Sequence, residues 1–182
     1  MTNEAIGSAD HSRIQDYFTC PRRPDTDLAA RIDKWIRNDL GLHIRCNEWF
    51  APEACDVWQF AFNDRDENVP ADPPPTPFDL CIARWTYRIA ISHRGPLVTC
   101  ETYSLIAERP DRWHDSRWRY DRPVRAKAVT LTQRIAAEFD LQYVDTNVLR
   151  DWKVSYDEVD PEFDLENDVL AVPTAFQVLF FE

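Results

Sequence analysis

The order of patterns along the chain predicts an α+β fold: one helix, a group of strands, a second helix and then further extended segments. Three observations carry this. Helical spacing of apolar residues occurs in two stretches, strict two-residue alternation occurs between them, and no helix separates the alternating segments as a parallel sheet would require. At 182 residues with 44% hydrophobic and 13% aromatic content, the chain suits one compact α+β domain with a mostly antiparallel sheet and two principal helices, about 26–40 and 123–139.

Residues 1–20 read as a polar, loosely held lead. In PDTDLAARIDKWIRNDLG, Leu28, Ile32, Trp35, Ile36 and Leu40 recur at helical spacing, with Asp25 or Thr26 as N-cap and Gly41 as the stop. HIRCNEWFAP and DVWQFAFND read as strands, the second placing Val57, Gln59 and Ala61 against Trp58, Phe60 and Phe62. PADPPPTP (70–77) holds five Pro in eight residues. Proline lacks the N–H that a helix or central strand needs, so this is a stiff surface connection in preference to an SH3-type ligand.

FDLCIARWTYRIAIS then alternates Cys81, Ala83, Trp85, Tyr87, Ile89 and Ile91 against Arg84, Thr86 and Arg88. His93-Arg94-Gly95-Pro96 turns the chain and LVTCETYSLI returns, a hairpin that puts Cys100 near Arg88. ERPDRWHDSRWRYDRP reads as irregular. Pro123 opens the second helix, with Val124, Ala128, Leu131, Ile135 and Phe139 on its apolar stripe. LQYV suggests a strand, VLRDW a helical turn, and DVLAVPTAFQVLFFE a terminal strand pair docked in the core.

Composition excludes several function classes. Only three glycines occur, at positions 7, 41 and 95. Phosphate-cradling loops need several, so that backbone amides approach the phosphates, and the standard nucleotide motifs are therefore absent. Neither a GxSxG elbow nor an HExxH helix is present. His43, Cys46 and Glu48 lack the spacing of a zinc deaminase. The five cysteines (20, 46, 55, 81, 100) form no CxxC pair and are odd in number, which points to free thiols and a cytoplasmic setting. No leader pattern or membrane-length apolar run is expected to place the chain elsewhere.

The net charge is −11, and nucleic acid is an improbable partner for so acidic a chain. Five Arg, two Trp and a Tyr do interleave in RPDRWHDSRWRYDRP, but nearby acids almost cancel them. From residue 156 on there are eight acidic and no basic side chains. Seven of those carboxylates fall in YDEVDPEFDLEND: Asp157, Glu158, Asp160, Glu162, Asp164, Glu166 and Asp168. An EF-hand starting at Asp160 fails, because Leu165 stands where Gly is needed and Ala171 where Glu is. No cofactor or metal is expected. As a strand, the five acids from Asp160 share one face with Phe163 and Leu165 behind it.

The resulting expectation is a non-enzymatic, acidic cytoplasmic binding protein for a basic protein partner. Its concrete form is an immunity (antitoxin-like) protein that caps a cationic toxin domain such as a nuclease. The acids would be the contact surface, and Trp113, Trp118 and Trp152 its apolar anchors. Two alternatives stand beside it: a hydrolase or transferase using His93, Glu101, His114 or Asp115 beside the hairpin, and a small-ligand module with an aromatic cavity.

Overall fold

The structure, a computed structural model, describes residues 8–44, 54–62, 68–69, 84–106, 117–119, 122–159 and 172–180. The elements are α1 (Ser8–Gln15), α2 (Thr26–Asn38), β1 (Cys55–Phe62), β2 (Asn68–Val69), β3 (Arg84–Ser92), β4 (Leu97–Ile106), β5 (Arg117–Arg119), α3 (Arg122–Glu138), β6 (Gln142–Tyr143), α4 (Thr146–Asp151), a 3-10 turn (Tyr156–Glu158) and α5 (Ala175–Phe180). The sheet runs β2-β1-β3-β4-β5, all antiparallel, and β6 joins the same edge of β4 in parallel. This is the α+β architecture, in one domain.

Side-chain alternation in β1, β3 and β4 divides the core in two. Trp58, Phe60, Tyr87, Ile89, Ile91, Val98 and Cys100 face α2 and α3, meeting Ile32, Ile36, Leu131 and Ile135. The opposite face supplies Cys55, Val57, Ala90 and Leu97 to a second core shared with α1, α4 and α5. Complete burial of a side chain such as Phe60, Ile89 or Ile135 stabilises by about 1.5–3 kcal/mol each. The sheet is therefore covered on both sides at its hairpin-tip end.

Local chemistry sets the helix limits. The Asp25 carboxylate accepts the Leu28 N–H at 2.9 Å, making it the N-cap of α2. Beyond that helix the chain turns back, with the Leu42 N–H on the Ile36 carbonyl at 3.2 Å and Gly41 at φ +63. Asp140 plays the corresponding part after α3 at φ +55, a left-handed conformation that Asp tolerates better than most residues.

Four details depart from the expectations. Cys100 stands opposite Ile89, and Arg88 opposite Glu101, one residue along from the expected register. Arg117–Arg119, within the stretch read as irregular, adds a short strand to β4. In the polar lead, Ser8–Gln15 is helical, and Ile14 and Phe18 are fully buried. The terminal strand pair is the fourth departure. Lys153 and Thr174 do form an isolated bridge, but Ala175–Phe180 is a helix. The cause is a reciprocal cap at its start. The Gln177 side-chain oxygen accepts the Thr174 N–H at 2.9 Å while the Thr174 hydroxyl accepts the Gln177 N–H at 3.3 Å. Residues 45–53, the 70–77 proline segment and the acids at 160–171 lie outside the described residues.

Candidate functional site

Two places gather chemistry: the base of the acidic segment and a cleft at the hairpin tip. At the first, Asp157 is exposed and its carboxylate accepts the Ser155 hydroxyl, a hydrogen bond that holds the acid below its usual range. Glu158 is half-buried and turned inward. It accepts from the Gln15 side chain and, at 3.0 Å, from the Ser155 N–H. One of the two described acids thus faces water, and the other ties the 3-10 turn to α1.

The chain enters residues 160–171 from buried Val159 and returns through buried Pro173. The Val154 N–H donates to the Pro173 carbonyl at 2.9 Å, and the Ala175 N–H to the Trp152 carbonyl at 2.9 Å. The return is thus bonded to Trp152 and Val154, and the entry is anchored in the second core through Val159. Val172, beside its return, is 51% exposed.

The expected aromatic anchors separate. The Trp152 ring is half-buried, 4.7 Å from His11 and 5.2 Å from Phe18 by centroids, so it packs α1 against the end of α4. Trp118 lies on β5 opposite Leu105. Trp113, Asp160, Glu162, Asp164, Glu166 and Asp168 lie outside the described residues, as do His114 and Asp115.

The cleft has a volume of about 490 Å³ and lies between the hairpin tip, the linker from α1 to α2, the start of β1 and Leu141. Pro21 and Pro24 keep the linker extended. The Arg23 N–H donates to the His93 carbonyl at 2.7 Å, which fastens the linker to the tip. Arg94, only 5% exposed, reaches back and donates to the Cys20 carbonyl at 2.6 Å. Behind the tip, the Ser92 hydroxyl donates to the Leu179 carbonyl at 2.7 Å. These walls are set by hydrogen bonds to backbone carbonyls and are formed before any ligand arrives.

Inside the cleft, His93 Nε2 lies 3.2 Å from Asp56 Oδ2, with side-chain exposures of 2% and 33%. The imidazole is thus enclosed while the carboxylate faces the cleft. Glu101, the described acid of the enzymatic alternative, pairs with Arg150. The groups with strongly raised pKa are core residues. Burial pushes Cys55 up to about 12 and also raises Cys100, Tyr87 and Tyr143. Thiols held protonated in this way are poor nucleophiles. Nor does Cys100 reach His93, since its place opposite Ile89 puts it on the sheet below the tip.

His43 is exposed, and its backbone pairs with the Asn68 side chain; Cys46 and Glu48 lie outside the described residues. Among the described residues no group of three or more His, Cys, Asp or Glu is placed to hold a metal ion, and no helix is long and apolar enough to cross a membrane. The sequence reading singled out His93 but missed Asp56 and Arg23. Their signal is tertiary, because β1, the linker and the hairpin tip meet only in the folded chain. No protein family, curated protein or solved structure matches the chain.

Proposed function

We propose that this chain is a non-enzymatic, cytoplasmic binding protein whose acidic C-terminal segment docks a basic protein partner, most concretely an immunity protein capping a cationic toxin domain such as a nuclease. The observation that carries the reading is where the charge lies. Residues 156–182 hold eight acids and no base, in a stretch whose acid-rich middle is held at both ends by Val159 and Pro173. Fastened ends lower the entropy lost when such a segment binds. Concentrated negative charge speeds encounter with a positive surface and fixes its orientation. The free thiols Cys20, Cys55 and Cys100 agree with a reducing compartment.

The test is charge reversal at three positions together, Asp160→Lys, Glu162→Lys and Asp164→Lys, assayed for binding to the protein encoded by the adjacent gene. Affinity at low salt should fall by at least about tenfold, or 1.4 kcal/mol, with the melting temperature unchanged. The loss should shrink as salt rises, because screening already weakens the wild-type contact. Unchanged affinity in a folded variant defeats the proposal.

A further inference from the structure

We propose that the hairpin-tip cleft is a binding site for a small zwitterion with an apolar body, in chemical class a free α-amino acid with a branched aliphatic side chain. The inference is independent of the docking reading, since none of its residues belongs to the acidic segment.

Four charged side chains line the cleft: Asp25 accepts the Leu28 N–H, Arg94 donates to the Cys20 carbonyl, and Asp56 and Arg23 are not paired with each other. Asp56 uses Oδ2 on His93, and its Oδ1 has no partner among the described residues. The Arg23 guanidinium likewise has no hydrogen-bond or ion-pair partner among the described residues, although its backbone N–H is fixed on His93. Both residues line one cleft, yet no ion pair joins them. Leu28, Ile91 and Leu141 add apolar lining to the same cleft. A ligand that carries both an ammonium and a carboxylate beside an apolar side chain can meet both charges at once. Its hydrocarbon then removes the aliphatic lining from water.

Size and stiffness agree with this. A cleft of about 490 Å³ lies within the range of small-molecule sites, roughly 300–1,000 Å³. Because the linker and the tip are already joined through Arg23, Arg94 and His93, little ordering remains when the ligand enters. A purely anionic ligand would lie against Asp56 unpaired, and a purely cationic one would leave Arg23 unused.

Calorimetric titration of the full chain tests this with L-leucine and its two half-analogues, 3-methylbutylamine and 4-methylpentanoate. Leucine should bind saturably, and each half-analogue at least about tenfold more weakly, since each loses one charge-assisted contact. Arg23→Gln should bring leucine down to the level of the amine. Asp56→Asn should bring it to the level of the carboxylate. Arg23 is exposed, so Arg23→Gln keeps the test valid if Asp56→Asn loosens His93 and lowers the melting temperature. Leucine binding that is absent, no tighter than either half-analogue, or unaffected by Arg23→Gln overturns the proposal.

Discussion

Leu179→Ala separates the helical C-terminus from the strand that the alternation of this segment suggests. In a strand, Phe176, Val178 and Phe180 would share one face and Ala175, Gln177 and Leu179 the other. Truncating Leu179 beside the polar Gln177 would then cost little. In α5, Val178 and Leu179 are both completely buried, packed with Ile14, Phe18, Leu149 and Val154. Removing a fully buried Leu side chain costs about 2–5 kcal/mol, the spread reflecting how far neighbours close the cavity. For a domain of this length that corresponds to a melting temperature lower by roughly 5–15 °C. Val178→Ala is the control, because Val178 is buried in either arrangement. Thermal unfolding followed by circular dichroism measures both variants at one protein concentration. A drop of less than about 2 °C for Leu179→Ala, alongside a large drop for Val178→Ala, refutes the docked helix. It would also remove the return anchor of the acidic segment.

Alkaline stability should follow the buried thiols and phenols. Cys55 is raised from 9.0 to about 12 by burial first and by the Asp56 charge second, and Cys100, Tyr87 and Tyr143 move in the same direction. A proton held more tightly in the folded state stabilises it fully below the unfolded pKa, and that stability is lost as pH rises from about 9 toward the folded pKa. Thermal melts should therefore be level up to about pH 9 and fall above it, by up to ~1.4 kcal/mol per pH unit from Cys55 alone. Cys55→Ala should flatten that fall, and a constant melting temperature up to pH 11 contradicts the reasoning. Gly95→Ala would place a Cβ 2.5 Å from the Tyr17 ring, so it should destabilise by about 1–3 kcal/mol as the ring is displaced. The same substitution in a Tyr17→Ala background should cost much less, and equal costs in both backgrounds would show that Tyr17 is not the obstacle.

Amino-acid order by itself determined the two long helices and the central hairpin. Their signals are local: Asp25 beside the start of an apolar stripe, Pro123 in a first turn, and Tyr87, Ile89 and Ile91 alternating with Arg88. It also determined the accumulation of negative charge after Tyr156. Tertiary structure decided what short or ambiguous segments became. A short, mostly apolar run such as Ala175–Phe180 suits helix or strand equally by period, and the Thr174–Gln177 cap together with burial of its five apolar residues selects the helix. Ile14 and Phe18 sit in a stretch too polar to announce a core, and their burial comes from the second face of the sheet needing a cover. The cleft was the least legible feature. Arg23, Asp56 and His93 are far apart in sequence, and only the closing of the hairpin tip over the linker makes them neighbours.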